Sequence, residues 1–247
     1  MKINVLTLFP DMFAPVTEAS ILGKAAEKGV LEVKLINIRD YSLDKHHKAD
    51  DTPFGGGVGM VMLAQPVFDA LKAAGAAGKR ILYMSPRGKL LDRELICDLA
   101  AEEELFILCG HYEGVDQRII DHWDIEEVSI GDFVLTGGEL PAMVLIDSVA
   151  RFIPDVLNTD VGAEQESIYS GLLEHPQYTK PREYAGMKVP EVLVGGNHKL
   201  IDQWKFEQSL RLTKERRPEL FDRFICEKGE TLTKDEKKIL EKVIDEA

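Results

Sequence analysis

Three glycine-bearing runs follow short apolar stretches: Ser85-Pro86-Arg87-Gly88, Gly110-His111-Tyr112-Glu113-Gly114, and residues 130–138. Without a Cβ in the way, glycine lets backbone N–H and C=O groups come close to a ligand. One such run is no more than a tight turn. Three at successive strand ends point to a ligand site. A fourth run, Asp50-Asp51-Thr52-Pro53-Phe54-Gly55-Gly56-Gly57-Val58-Gly59, sets glycines beside two carboxylates. It lacks the Gly-Lys-Ser/Thr ending of a phosphate loop, which argues against an NTPase. Its residue types suit Mg²⁺ binding or closure over a substrate. His46-His47 lie nearby, but adjacent histidines diverge and no third ligand is spaced to join them. Cys109 ends an apolar stretch, where a free cysteine acts as a small hydrophobe. There is no Gly-x-Ser-x-Gly elbow, which lowers any hydrolase reading. Arg151 follows an apolar helix, where it serves either the helix C-terminus or a site. Glu164 and Glu166 read, on composition alone, as solvated loop carboxylates.

The elements that must position these residues alternate in type. Strands are expected at 2–8, 31–38, 80–84, 105–109 and 125–130. Helices are expected at 11–28, 65–74, 92–103, 114–122 and 139–152, with Asp92 as an N-cap and Pro141 tolerated in the first turn. Residues 39–59 read as one long polar loop and 85–89 as a turn. This alternation predicts a mostly parallel sheet covered by helices. Residues 154–190 hold four prolines and little periodicity, and read as a linker with functional potential. Two amphipathic helices follow, at 198–213 and 233–246. Thr233 and Glu236 have the spacing of a capping box.

The 247 residues are 45% hydrophobic and 30% charged, which are globular proportions able to bury a core. No apolar run approaches the ~18–20 residues of a membrane span, and the N-terminus does not read as a signal peptide. Three scattered cysteines form no Cys-x-x-Cys pair. A soluble, cytoplasmic protein without a membrane partner is expected. The net charge of −13 weighs against a nucleic-acid partner, but it is unevenly spread. Residues 1–170 hold 15 basic against 28 acidic residues, and residues 171–247 hold 15 of each. Within 199–217 there are six basic and three acidic residues, so a local basic face remains open.

Four runs resemble the bacterial tRNA (guanine-N1)-methyltransferase family. They are Asp50 to Met60 (DDTPFGGGVGM), Gly110 to Asp116 (GHYEGVD), Ser129 to Pro141 (SIGDFVLTGGELP) and Gly171 to Pro181 (GLLEHPQYTKP). The resemblance covers essentially the whole chain. It implies an α/β fold of SPOUT type, a parallel sheet with a deep trefoil knot, plus a small helical C-terminal domain. That knot departs from the rule that chains do not thread themselves. The implied division is a catalytic domain at 1–160, a flexible linker at 161–175 and a helical tRNA-binding domain at 176–247. A homodimer with its active site shared between subunits is implied, as are S-adenosylmethionine as methyl donor and tRNA as substrate.

Carried over residue by residue, the methyl donor would be held by Met84, Ser85, Pro86 and Gly88, by Gly110, Tyr112 and Glu113, and by Ile130, Gly131, Asp132, Phe133, Val134, Leu135, Gly137, Gly138 and Pro141. The reaction places a methyl group on N1 of the guanosine 3′ of the anticodon. N1 carries a proton, so a base must accept it while a cation or donor supports O6. The resemblance assigns the O6 role to Arg151. It places the base in the linker, where the family's usual Asp is Glu166, in Gln165-Glu166-Ser167. Lys180, Arg182, Lys188, Lys199, Lys205, Arg211, Lys214, Arg216 and Arg217 are the cations for tRNA phosphates. Residues 46–59 are the expected reader of the anticodon region. Two other readings are a non-catalytic RNA-binding protein of the same fold, its base lost at Glu166, and a Mg²⁺-dependent phosphotransferase built on Asp50 and Asp51.

Overall fold

The structure, a computed structural model, describes residues 1–157 and 168–246. They fall into two compact units, one within Met1–Asp160 and one within Val161–Ala247.

In the first unit the described strands are β1 (Lys2–Thr7), β2 (Glu32–Asn37), β3 (Asp50–Asp51), β4 (Val61–Met62), β5 (Arg80–Leu90), β6 (Glu104–Cys109) and β7 (Glu126–Ser129). The helices among them are α1 (Ala14–Thr17), α2 (Ser20–Glu27), α3 (Ala64–Ala74), α4 (Arg93–Ala100), α5 (Gln117–Trp123) and α6 (Glu139–Ala150). Five strands form one parallel sheet in the order β2-β1-β6-β5-β7. Central strands are apolar throughout because both faces are covered. In β6, Leu105, Ile107 and Cys109 join the core beneath α2, α4 and α6, while Phe106 and Leu108 join the one beneath α3 and α5. Ile3 and Val5 of β1 share the first core with Leu82 and Met84 of β5. Leu6, Ile81 and Tyr83 face the second.

Several elements differ from the sequence expectation. The single helix over 11–28 is broken, because Ala19 is extended and Ser20 takes φ 53°. Gly23 then packs on the turn before it, where a Cβ would lie 2.5 Å from Glu18 O. That contact is invisible to periodicity. The long loop over 39–59 contains β3, which pairs antiparallel with β4. Two charged residues carry no strand signal, and the pairing follows from Met62, which is buried and bridged to Val115. The turn over 85–89 is a bulge inside β5: pairing with β7 leaves at Met84 and resumes at Lys89. Asp92 does cap α4, accepting from Leu95 N at 2.9 Å. Gly75 ends α3 in the left-handed conformation, as a C-cap glycine does.

The second unit contains a short hairpin, β8 (Glu183–Tyr184) with β9 (Met187–Lys188), then α7 (Glu191–Val194), α8 (His198–Arg216), α9 (Pro218–Lys228) and α10 (Lys234–Asp245). Helix α9 was not expected. Its signals were present: Pro218 at the first position, and Leu220, Phe221 and Phe224 buried on one face. Helix α8 runs past 213 and stops at Arg217, the residue before that proline. The capping box of α10 forms, with Thr233 and Glu236 bonded reciprocally. The core is Leu172, Leu210, Phe221, Phe224, Leu240 and Val243. Thr213 is fully buried; its hydroxyl donates to Ser209 O (2.6 Å) and accepts from Leu173 N (2.9 Å). Thr213→Val would strand the Leu173 amide, so we expect a loss of about 1–3 kcal/mol in denaturant unfolding of this unit, with Thr213→Ser largely retaining stability.

Candidate functional site

Strands β6, β5 and β7 lie side by side and point the same way, so the segments leaving them meet at one sheet end. Between these segments is a cavity of about 210 Å³. From β5 come Tyr83, Met84, Ser85 and Pro86. The Ser85 hydroxyl accepts from Arg87 N (3.2 Å), and the Arg87 guanidinium pairs with Glu127 (3.0 Å), which holds the bulge to β7. From β6 come Gly110 through Gly114, with Tyr112 at φ 59°. From β7 come Val128 through Gly131, then Phe133 through Gly138, and Pro141 in the first turn of α6. The third segment returns to the second: Gly138 N–H donates to Gly110 O at 2.7 Å. A Cβ on Gly138 would stand 2.7 Å from Gly110 N and 2.8 Å from Cys109 Cα, so only glycine allows this approach.

Of the residues carried over for the methyl donor, the cavity brings together all but two. Gly88 does not line it. Gly88 packs on the backbone of Glu127 and Val128, and its missing side chain lets β5 rejoin β7. Asp132 is exposed and outside the lining. Glu113 lines the cavity and also meets the glycine run, donating from its N–H to Met60 O (2.9 Å) while Gly59 rests on its side chain. Arg151 is half-buried at the C-cap of α6. Glu166, Glu164 and Asp160 lie outside the described residues. Tyr83, His111, Gly114, Val128, Ser129 and Thr136 line the cavity too; they are not among the residues carried over for the methyl donor, though His111, Gly114 and Thr136 fall within the glycine-bearing runs. Each neighbours a residue that was named, so strand alternation and the quoted runs held the signal.

Burial pushes the Cys109 thiol well above its ordinary range, and the nearby Glu139 carboxylate adds to this. Burial likewise raises the Tyr83 phenol, with Glu127 contributing. In the glycine run, Lys48 holds the Asp51 carboxyl below its usual range, helped by the Thr52 N–H. Among the described residues no three His, Cys, Asp or Glu side chains stand together to hold a metal ion. No Mg²⁺ site is assigned. His47 instead meets Arg39 O through Nδ1 (3.1 Å).

Several cations expected to meet phosphate are engaged within the helical unit. Arg211 pairs with Glu207 (2.6 Å) and Glu246 (2.7 Å), and Lys199 with Asp235 (2.8 Å). Arg217 pairs with Glu219. Lys214 Nζ caps α10, donating to the carbonyls of Val243 (2.7 Å), Ile244 (3.1 Å) and Glu246 (2.7 Å).

The family model described as tRNA (Guanine-1)-methyltransferase TrmD matches residues 1–223. The chain belongs to this family. Among curated relatives, the tRNA (guanine-N(1)-)-methyltransferase of Ruminiclostridium cellulolyticum is 55% identical over 226 residues, covering 90% of this chain and 97% of the relative. That of Clostridium perfringens is 52% identical over 224 residues, with 90% and 94% covered. That of Desulforamulus reducens is 52% identical over 245 residues, with 97% and 94% covered. Membership in the TrmD family displaces the phosphotransferase reading built on Asp50 and Asp51. Among the described residues no helix is long and apolar enough to cross a membrane.

The buried thiol is directly testable. At pH 8, iodoacetamide will alkylate the exposed Cys97 and Cys226 and spare Cys109 until the protein is unfolded, as read by peptide mass spectrometry.

Proposed function

We propose that this chain is a tRNA (guanine-N1)-methyltransferase that moves the methyl group of S-adenosylmethionine to N1 of the guanosine 3′ of the anticodon. The observation that carries the reading is the convergence of three glycine-bearing segments on one cavity, in a chain about half identical to enzymes of that name.

The cavity suits the methyl donor. Gly110, Gly137 and Gly138 put no side chain into the cavity, so a ligand can come close to the backbone there, and Val128, Ile130, Leu135 and Pro141 supply apolar wall. When bound, S-adenosylmethionine supplies an electrophilic methyl carbon. The chain's own tasks are then orientation, proton removal and charge support. Glu166 takes the N1 proton of guanine; it keeps the carboxylate of the family's usual Asp and adds one methylene. Arg151 donates to O6, where negative charge gathers as that proton leaves. The run 46–59, resting on Glu113, contacts the anticodon region, and the helical unit grips tRNA phosphates.

The reading includes a homodimer with each site shared between two subunits. Its support is apolar surface beside the cavity: Phe133 and Val134 are exposed on the third segment, and Leu140 and Val144 are exposed one turn apart on α6. A SPOUT-type deep trefoil knot and a cytoplasmic location complete the reading.

The test is transfer of labelled methyl from S-adenosylmethionine to two tRNA transcripts differing only in G or A next to the anticodon. Label on the G transcript alone is expected. Binding of both without transfer would favour a non-catalytic RNA-binding protein. Glu166→Gln is expected to lower kcat about 10²–10³-fold with tRNA affinity kept. Near-normal turnover would move the base to Glu164 or Asp160. Replacing Arg216 and Arg217 together by Ala is expected to raise the tRNA KM several-fold and flatten its salt dependence, with kcat unchanged.

A further inference from the structure

Glu139 is only 2% exposed, and carboxylates are almost never so buried without partners. One oxygen, Oε1, accepts from the Thr7 hydroxyl of β1 at 2.8 Å. The residue opens α6, where the helix dipole favours negative charge. The other oxygen, Oε2, stands 4.0 Å from His111 Nδ1. That nitrogen is buried and has no hydrogen-bond partner among the described residues. Buried polar atoms are rarely left unmade in this way. The two atoms face one another just beyond bonding reach, in an unfinished pair.

The surroundings keep this gap open. A Cβ on Gly137 would lie 2.5 Å from Glu139 Oε2 and 2.7 Å from His111 Nδ1, so any side chain there would enter the space between them. The backbones of His111 and Gly137 already face each other in an antiparallel bridge. The imidazole packs between the Phe9 ring (4.9 Å) and the Tyr112 ring (4.8 Å). His111 also lines the cavity, while Glu139 sits behind it. The pair therefore joins the segment leaving β6 to the segment that returns from β7, with Thr7 of β1 as its outer anchor.

We infer that His111 is a positioning residue for the methyl donor, and that Glu139 is its anchor. The backbones of the two segments already touch, so when the cavity is filled it is a turn of the His111 side chain that closes the remaining gap of about 1 Å, and Nδ1–H donates to Glu139 Oε2 at ordinary hydrogen-bond length. The bond holds the cavity wall closed around the ligand. No proton leaves the pair, and neither side chain meets the reacting atoms. The inference rests on the S-adenosylmethionine reading above.

Calorimetric titration of the full chain with S-adenosylmethionine tests it. A wild-type chain that binds none overturns both readings. His111→Asn keeps an N–H donor near the Nδ1 position, whereas His111→Gln moves it toward the Nε2 position. We expect His111→Asn to bind within threefold of wild type and His111→Gln to bind at least tenfold more weakly. The KM for the donor should follow, with kcat at saturation changed less than twofold. Combining His111→Gln with Glu139→Gln should weaken binding no further than the worse single change. Equal affinity of the Asn and Gln variants, or additive losses in the double variant, overturns the pair while leaving the enzyme reading intact. Should the variants fold poorly, ¹⁵N-histidine NMR of the wild type decides. A donor-dependent Nδ1–H signal of His111 supports the pair, and its absence at saturation overturns it.

Discussion

Three neighbouring parallel strands, in the order β6, β5, β7, point to one end of the sheet, and the chain leaving the last reaches the end of the first. It crosses the end of β5 to do so, and closes with the 2.7 Å bond from Gly138 N–H to Gly110 O. The cavity is the space this crossing encloses. Its floor is β5, its sides are the two joined segments, and its far wall is the start of α6. Neither segment has a regular ladder of its own. Their geometry depends on a backbone approach too close for any side chain at 138. The glycines of this site thus act by steric absence.

The rigidity of that frame comes from the two cores. Residues of β1, β5 and β6 alternate between them, so that shifting any strand by one residue would move apolar groups to the wrong face. Several buried polar groups are tied down. Thr7 and Glu139 are bonded to each other across the top of the sheet, and Asn4 reaches Glu104 at 2.9 Å. The helical unit repeats this economy on a smaller scale, with Thr213 bonding Leu173 to α8 and Lys214 capping α10.

Charge follows a similar division. The excess of carboxylates lies in the first 170 residues, and residues 171–247 are balanced. Balance there does not mean free cations. Arg211, Lys199 and Arg217 have carboxylate partners, and Lys214 is spent on carbonyls. A count of basic residues in 199–217 overstates what remains for phosphate, because helix-to-helix pairing takes its share.

Most of the first unit was legible in the chain itself. Apolar runs of five or six residues separated by helical periods marked the parallel sheet. Asp92, Gly75 and the Thr233–Glu236 spacing marked helix ends, because capping is a local bond between neighbours. The glycine-bearing runs named the three segments of the cavity. Tertiary structure alone decided what depends on distant residues meeting. It broke the helix over 11–28, paired Asp50–Asp51 with Val61–Met62, and set Gly88 against the backbone of Glu127 and Val128. It also set His111, unremarkable between two named neighbours, opposite the buried Glu139. Local propensity reads the few residues along the chain that share a turn of helix or a strand. Proximity across the sheet is set by strand order and burial, which no local window contains.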